Sequence, residues 1–599
     1  MAVWRSSRPG LPLIQRRDDL TVVSSRTLRW TGFGGAVLLA VAAGIGGHGP
    51  AVLCCWLVGT AIQGYAWWSG RDRTFTPRWV LGTVALWSAP FLLAPPYGSR
   101  DVYSYACQGE LYRHGLSPYT HTATALPCTW LDDVAPLWRD TLTPYGPLFV
   151  LAAAGVLWLA DTLPVDAGMT VPLLLFRLLA LAGMAGVAAG LPALARRCGV
   201  PPARALWVAL AGPLIGAHLL GGPHNDALML GFLIGGLALV ARFPRHPAAV
   251  LGAGALLGCA VAVKATAVVA IPFAILLVTA ALGKNRNAAP PRRTPAGSQG
   301  PLEPSETPLT ASPDAVRAVA RGPVSAGSQG CLGGSEAPLT ASPDAVRAVA
   351  RGPVSAGSQG CLGHSETPLR TSWDLGRGLV VGGVGVGGAA VATFAGITAA
   401  GGLGYGWIAG LRESEILVQF SSLPTAVGMT LTYLGRPFEA GFNAVPAARA
   451  AALVVLAVVL VAIWVRALRY RADPGRAALH GAALALVATV ALAPVVLSWY
   501  ALWPLILLAA TTVRTRAVMA VAIVAAFAVL PDGEGLAHMV KFPGAIMVTT
   551  GLIVLAVVAL RRWRRQRGAA ADGSSEAEPS TRVTDTSITT RAGFGRGVR

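Results

Sequence analysis

Apolar residues in this chain gather into long blocks near 31–47, 50–68, 79–96, 171–192, 205–221, 226–241, 248–263 and 266–282. They resume near 379–400, 446–465, 477–495, 499–512, 517–531 and 541–560. Each block holds about 15 to 22 residues, near the length a helix needs to cross ~30 Å of hydrocarbon. The pattern predicts an all-α, polytopic integral membrane protein with about fourteen transmembrane helices. A shorter apolar block, 147–160, does not fit as a crossing. A full crossing there would leave Arg196, Arg197 and Arg204 outside, against the tendency of basic loops to stay in the cytoplasm. It is therefore expected as a helix lying at, or dipping into, the outer interface.

Composition agrees with that class. Of 599 residues, 54% are hydrophobic and 13% charged, with a mean hydropathy of +0.56, whereas soluble domains carry roughly 25% charged residues. The net charge of +20 does not point to nucleic acid, because Arg and Lys fall between the apolar blocks, where cytoplasmic loops of membrane proteins place them. Residues 1–30 are basic and remain in the cytoplasm; with no cleavage-like site after the first block, the first span is expected to act as the insertion signal. Threading the chain by this rule makes 31–282 a transmembrane module with a large outer loop, 97–170, carrying interfacial helices. It makes 378–560 a second transmembrane module and 561–599 a basic, then polar, cytoplasmic tail. The eight cysteines form no CxxC pair, which argues against a structural zinc site.

Residues 283–377 differ in character. The tract SPDAVRAVARGPVSAGSQG occurs at 312–330 and again at 342–360, and GSQG also stands at 297. Units so rich in Pro, Gly, Ser and Ala offer no apolar face to stack, so the 30-residue period reads as a recent duplication in a disordered cytoplasmic linker.

The threading collects several polar groups on the outer face: SRDVYSYACQGELYRHGLSPY at 99–119, YGPLF at 145–149, His224-Asn225-Asp226, Lys264, and SWYALWP at 498–504. Ionisable groups at span ends that face a protein cavity are costly and are functional candidates for that reason. Each also has a simpler reading. Arg100 and Asp101 suit a local ion pair, Asp226 a helix cap, Lys264 a snorkelling side chain, and His224 a polar turn residue. Trp499 and Tyr500 suit interface anchors, and Asp132, Asp133 and Asp140 solvated loop charges. Cys107 and Cys128 share the first outer loop, where oxidation is possible. Whether they pair depends on a Cα separation that sequence does not contain.

An acidic residue just after an early span, a large outer loop and a second acid in a later outer turn resemble membrane glycosyltransferases of the C fold. The wording SRDVYSY…PYGPLF…GGPHNDALM…VKATA…WYALWP is similar to the actinobacterial polyprenol-phosphate-mannose-dependent α-1,6-mannosyltransferases, over roughly 79–282 and 379–560. The resemblance implies mannose transfer from polyprenyl-phosphate mannose to an α-1,6-mannan or lipoglycan, outside the cytoplasmic membrane and with inversion at the anomeric carbon. It implies Asp101 as the general base. Asp226 then orients the acceptor or, with Asp101, holds a divalent ion such as Mg or Mn if one is used. Arg100, His224 and Lys264 are implied near the phosphate, and Tyr103, Tyr145, Trp499 and Tyr500 against sugar or lipid. Arabinosyl or protein-mannosyl transfer keeps the fold and changes only the sugar or acceptor. A transporter or flippase is disfavoured, because the polar residues lie at one face instead of the midplane and the halves show no internal symmetry. Deleting residues 297–367 is expected to leave catalysis intact; a variant that inserts normally but is inactive would show that the repeats matter.

Overall fold

The computed structural model describes residues 24–164, 168–283 and 368–575; the repeated tract and both chain ends, on which several of the expectations above fall, lie outside them. Among the described residues the chain is helical, and its β-type pairing is the isolated bridge between Val529 and Gly535. The first half contains α1 (Ser25–Ile45), α2 (Pro50–Ser69), α3 (Pro77–Leu93), α4 (Asp101–Arg113), α5 (Pro147–Thr162) and α6 (Thr170–Arg197). It continues through α7 (Pro202–Leu210), α8 (Asp226–Arg242), α9 (Pro247–Val263) and α10 (Ile271–Gly283). The second half contains α11 (Pro368–Gly382), α12 (Ala389–Ala400), α13 (Trp407–Glu413), α14 (Leu423–Gly435), α15 (Val445–Arg469) and α16 (Pro474–Leu492). It ends with α17 (Leu502–Thr511), α18 (Arg516–Ala526), α19 (Leu536–Met539) and α20 (Lys541–Ser575). Helix α11 starts inside the stretch read as linker.

Among the described residues, eight helical stretches are long and apolar enough to cross a membrane, or nine with one bent pair, so the expected fourteen crossings are not all matched by helices of that length. The 16-residue α5 is below it, and packs against α4 and α6. The block 205–221 is not one straight helix: α7 ends at Leu210, a π-helical segment Ile215–Gly221 follows, and the two are bent by 65°. Pro213 lies at the break and has no N–H to continue the ladder.

Irregular backbone inside an apolar bundle needs hydrogen-bond partners supplied by the protein. Arg177, buried on α6, supplies them: its guanidinium donates to the carbonyls of Leu92, Pro95, Leu220 and Gly221 at 3.0 to 3.3 Å. One side chain therefore ties the end of α3 to the end of the broken segment. The planar five-donor fork of Arg fits that task where a point-charge Lys does not.

Close helix approach sets the next layer. A Cβ at Gly183 of α6 would overlap the carbonyl of Ala227, and one at Gly231 of α8 would overlap Gly183. Small residues at a crossing let the two backbones meet, which is how membrane helices gain packing without a hydrophobic driving force. That contact seats the start of α8, where Asp226 lies.

The segment between α3 and α5 is braced from several sides. Cys107 and Cys128 form a disulfide, with Cα atoms 5.5 Å apart, so the pairing that the sequence leaves open is made. Tyr112 donates to the Gly401 carbonyl at 2.8 Å, and the Leu142 N–H donates to the Glu413 carboxylate at 2.6 Å. Gly410 meets the Thr143 backbone, so the polar connections of the two halves pack on each other. Replacing Arg177 with Met takes the donor from the carbonyls of Leu92, Pro95 and Leu220, while Gly221 keeps the Tyr97 N–H. The expected result is a fall in thermal midpoint of the purified protein corresponding to at least about 3 kcal/mol; an unchanged midpoint would show that the carbonyls find other partners.

Candidate active site

The structure brings together most of the polar residues singled out by sequence. Asp101 is the first residue of α4, which favours its anion through the helix dipole. Its backbone N–H donates to the Ser99 hydroxyl at 3.0 Å, and its carboxylate lies 3.3 Å from His224 Nδ1. The side chain keeps 16% of its surface exposed. Burial alone would raise the Asp101 carboxyl. The hydrogen bond and charge of His224, the charge of Lys264 and the Ser99 hydroxyl outweigh it and hold the group below the ordinary carboxylate range. Asp101 therefore stands ionised and open on one side.

Asp226 has the opposite surroundings. It is fully buried, and Lys264 Nζ donates to both its carboxylate oxygens at 2.9 Å. The indole N–H of Trp503 also donates to its Oδ1. Removing one member of such a buried pair costs roughly 3–5 kcal/mol, because the other charge is left without compensation. Asp226 follows the N-cap, Asn225, and its carboxylate is spent on Lys264 and Trp503, so the helix-cap reading does not hold. Lys264 sits at the break between α9 and the 3-10 turn Ala265–Ala270, and its ammonium lies 4.7 Å from the Tyr500 ring and 5.1 Å from that of Trp503. It is enclosed by an anion and two aromatic faces, not extended toward an interface. Two of its three ammonium hydrogens are used by Asp226.

His224 is buried and stacked on Trp499, with ring centroids 4.0 Å apart, and Tyr500 stacks on Trp503 at 4.3 Å. The SWYALWP motif thus backs the His-Asn-Asp turn. Tyr145 meets Tyr105 edge-on at 5.2 Å. The next residue, Gly146, donates its N–H to the Val263 carbonyl at 3.1 Å, at a spot where a Cβ would overlap Ala262. The YGP sequence is therefore docked on the backbone that delivers Lys264.

Of two further predicted residues, one turns elsewhere and the other joins two clusters. Arg100 reaches toward Asp133, at 3.8 Å, instead of forming a local pair with Asp101, and remains exposed. That contact also gives Asp133 a partner. Tyr103 packs both against the main apolar core and against the cluster around the Cys107–Cys128 bridge. Among the described residues, the group of three possible metal ligands near enough to share an ion is His48, Asp532 and Glu534, which includes neither Asp101 nor Asp226.

Sequence reasoning did not select Trp503, Tyr105 or Arg177. Trp503 follows Trp499 by four residues, one helical turn, and Tyr105 follows Asp101 by the same step, so spacing pointed to both. Arg177 carries no motif; its signal was a lone cation inside an apolar block. An apolar groove of about 520 Å³ between α6 and α8, lined by Gly183, Gly186, Gly231 and Gly235, contains none of the clustered polar residues.

Comparison with known proteins places this arrangement. The profile described as alpha-(1->6)-mannopyranosyltransferase, N-terminal domain, matches residues 36–280, and that of the MptB C-terminal domain matches 424–564. Alpha-(1->6)-mannopyranosyltransferase A of Mycobacterium tuberculosis is 28% identical over 574 residues, covering 88% of this chain and 91% of that protein. The protein of the same name from Corynebacterium glutamicum is 38% identical over 188 residues, 31% of this chain and 36% of its own length. A probable alpha-(1->6)-mannopyranosyltransferase of Mycolicibacterium smegmatis is 35% identical over 253 residues, 38% of this chain and 44% of its own. No solved structure matches. With both profiles covering the helices that build the site, and a relative aligned along nearly the whole chain, the protein belongs to the alpha-(1->6)-mannopyranosyltransferase family.

Proposed function

We infer that this membrane glycosyltransferase moves mannose from polyprenyl-phosphate mannose to a hydroxyl of an α-1,6-mannan or lipoglycan. The reaction takes place on the outer face of the cytoplasmic membrane. The observation that carries the reading is the division between two carboxylates: Asp226 is buried and neutralised by Lys264, while Asp101 is ionised and partly open. The division of roles fits a single displacement. Asp101 takes the proton of the acceptor hydroxyl, the freed oxygen bonds to the anomeric carbon, and the bond from that carbon to the phosphate oxygen breaks. The electron pair leaves on polyprenyl phosphate. One displacement inverts the centre, so a β-linked donor yields the α product named for the relatives. Lys264 has one ammonium hydrogen beyond those given to Asp226, and the nearby Thr266 hydroxyl is buried without a partner. Both suit the charge developing on the leaving phosphate. The outer placement rests on the distribution of Arg and Lys between the apolar blocks.

Membranes carrying the wild type are expected to transfer radiolabelled mannose from polyprenyl-phosphate mannose to a short α-1,6-mannoside. Asp101→Asn, at equal membrane levels, should lose at least about 100-fold, the usual worth of a positioned base. Retained transfer by the variant would remove Asp101 from that role. Transfer only from another lipid-linked sugar, or only to a protein acceptor, would keep the enzyme and change its substrate. The pH profile gives a second check. Falling pH protonates Asp101 and stops it acting as a base, and because its carboxyl is held down the acid limb should lie below the ordinary carboxylate range. His224→Ala removes a group that favours the carboxylate and should move that limb to higher pH; an unmoved limb would mean that another group limits the rate.

A further inference from the structure

Asn225 stands between two residues whose side chains are committed, yet its own is not. The residue is 2% exposed, and neither its amide oxygen nor its amide nitrogen has a hydrogen-bond partner. Asn at an N-cap ordinarily bonds back to the helix it precedes, but here the side chain makes no capping bond to α8. An unpaired polar group is costly to bury, so an idle amide at this depth marks a position completed by something else. Its neighbour repeats the feature. The Nδ1 side of His224 is taken by Asp101 at 3.3 Å and by the Tyr105 hydroxyl at 3.5 Å, the ring is clamped on Trp499, and Nε2 is buried with no partner.

The chemistry of these atoms selects the ligand class. Nε2 of His224 accepts when the proton sits on Nδ1 and donates when Nε2 carries one, and a hydroxyl meets either form. The Asn225 amide needs both a donor and an acceptor. A phosphate offers only acceptors at neutral pH and would leave the Asn225 amide oxygen unpaired. Sugar hydroxyls both donate and accept, and satisfy all three atoms. We propose that Asn225, together with His224 Nε2, reads hydroxyl groups of a saccharide ring and is a specificity-determining contact of this site. The proposal rests on the site being a glycosyl-transfer centre. The hydroxyls belong either to the mannosyl unit of the lipid-linked donor or to the acceptor, and the kinetics separate the two.

The test uses the full chain, purified in detergent, as wild type, Asn225→Leu and Asn225→Asp. KM is measured separately for polyprenyl-phosphate mannose and for an α-1,6-mannobioside, and the mannobioside is also presented as a series of single deoxy analogues. Asn225→Leu is expected to raise one KM by about 10- to 100-fold, the equivalent of one or two lost hydrogen bonds to a buried partner. The thermal midpoint should be unchanged or higher, which a purely structural amide would not allow. A rise for the lipid-linked substrate assigns the donor sugar. A rise for the mannobioside assigns the acceptor, and the deoxy analogue that is penalised in the wild type should then not be penalised in the variant. Both KM values within twofold of wild type, with deoxy discrimination intact, would overturn the proposal and leave the amide bound to water only. If Asn225→Leu does not fold, Asn225→Asp, which keeps shape and acceptor but loses the donor, should show the same KM split. If the wild type turns over no mannosyl donor, the functional reading fails on its own. Stabilisation of the wild type by free mannobiose, lost in the variant, would still support the contact, and its absence would overturn it.

Discussion

A carboxylate and an ammonium held 2.9 Å apart, with the carboxylate wholly out of water, impose more on this bundle than any other contact. Ions in a low-dielectric interior are tolerated only with a partner and with their remaining hydrogen-bonding capacity filled. Asp226 opens α8, and Lys264 stands where α9 gives way to a 3-10 turn, 38 residues later. The two helix ends must therefore coincide. Trp503 fills the carboxylate's remaining demand, and the rings of Tyr500 and Trp503 cover the ammonium. Gly183 lets α6 come close enough to fix the first turn of α8. With Asp226 neutralised, the negative charge left open in the cluster is that of Asp101.

The broken segment after α7 serves the same end. Its backbone turns away from a straight crossing so that Gly221 and the residues after it can carry His224 to Asp101. A bend of that kind frees carbonyls that lipid cannot satisfy. Arg177 collects them, and by binding Leu92 and Pro95 as well it holds the chain leading to Asp101 against the chain leading to His224. Positioning here thus depends on a cation whose hydrogen bonds go to backbone carbonyls.

The helical class and the approximate place of each apolar segment were legible because hydrocarbon imposes a length of about 20 apolar residues, and that length shows in one dimension. The bend at Gly212-Pro213 was not, since the blocks on either side are as apolar as a straight span. Within the site, the motifs delivered Asp101, His224, Asp226, Lys264, Trp499 and Tyr500, and these do converge. Their partners were not legible. Arg100 is adjacent to Asp101 in sequence but turns to Asp133, while Lys264 finds Asp226 across 38 residues. Charge pairing depends on which helix ends meet, and that is set by small residues such as Gly183 and Gly146, whose role is visible only once the backbones they admit are in place.

The Cys107–Cys128 bridge gives the segment after α3 a chemical memory of where it was made. Such a bond forms and persists in an oxidising compartment and is kept open by cytosolic reductants. A chain inserted with this segment on the reducing side would carry two thiols in place of the bridge. The redox state of one cysteine pair is thereby a built-in record of membrane orientation, written into each molecule and readable by mass without reference to activity.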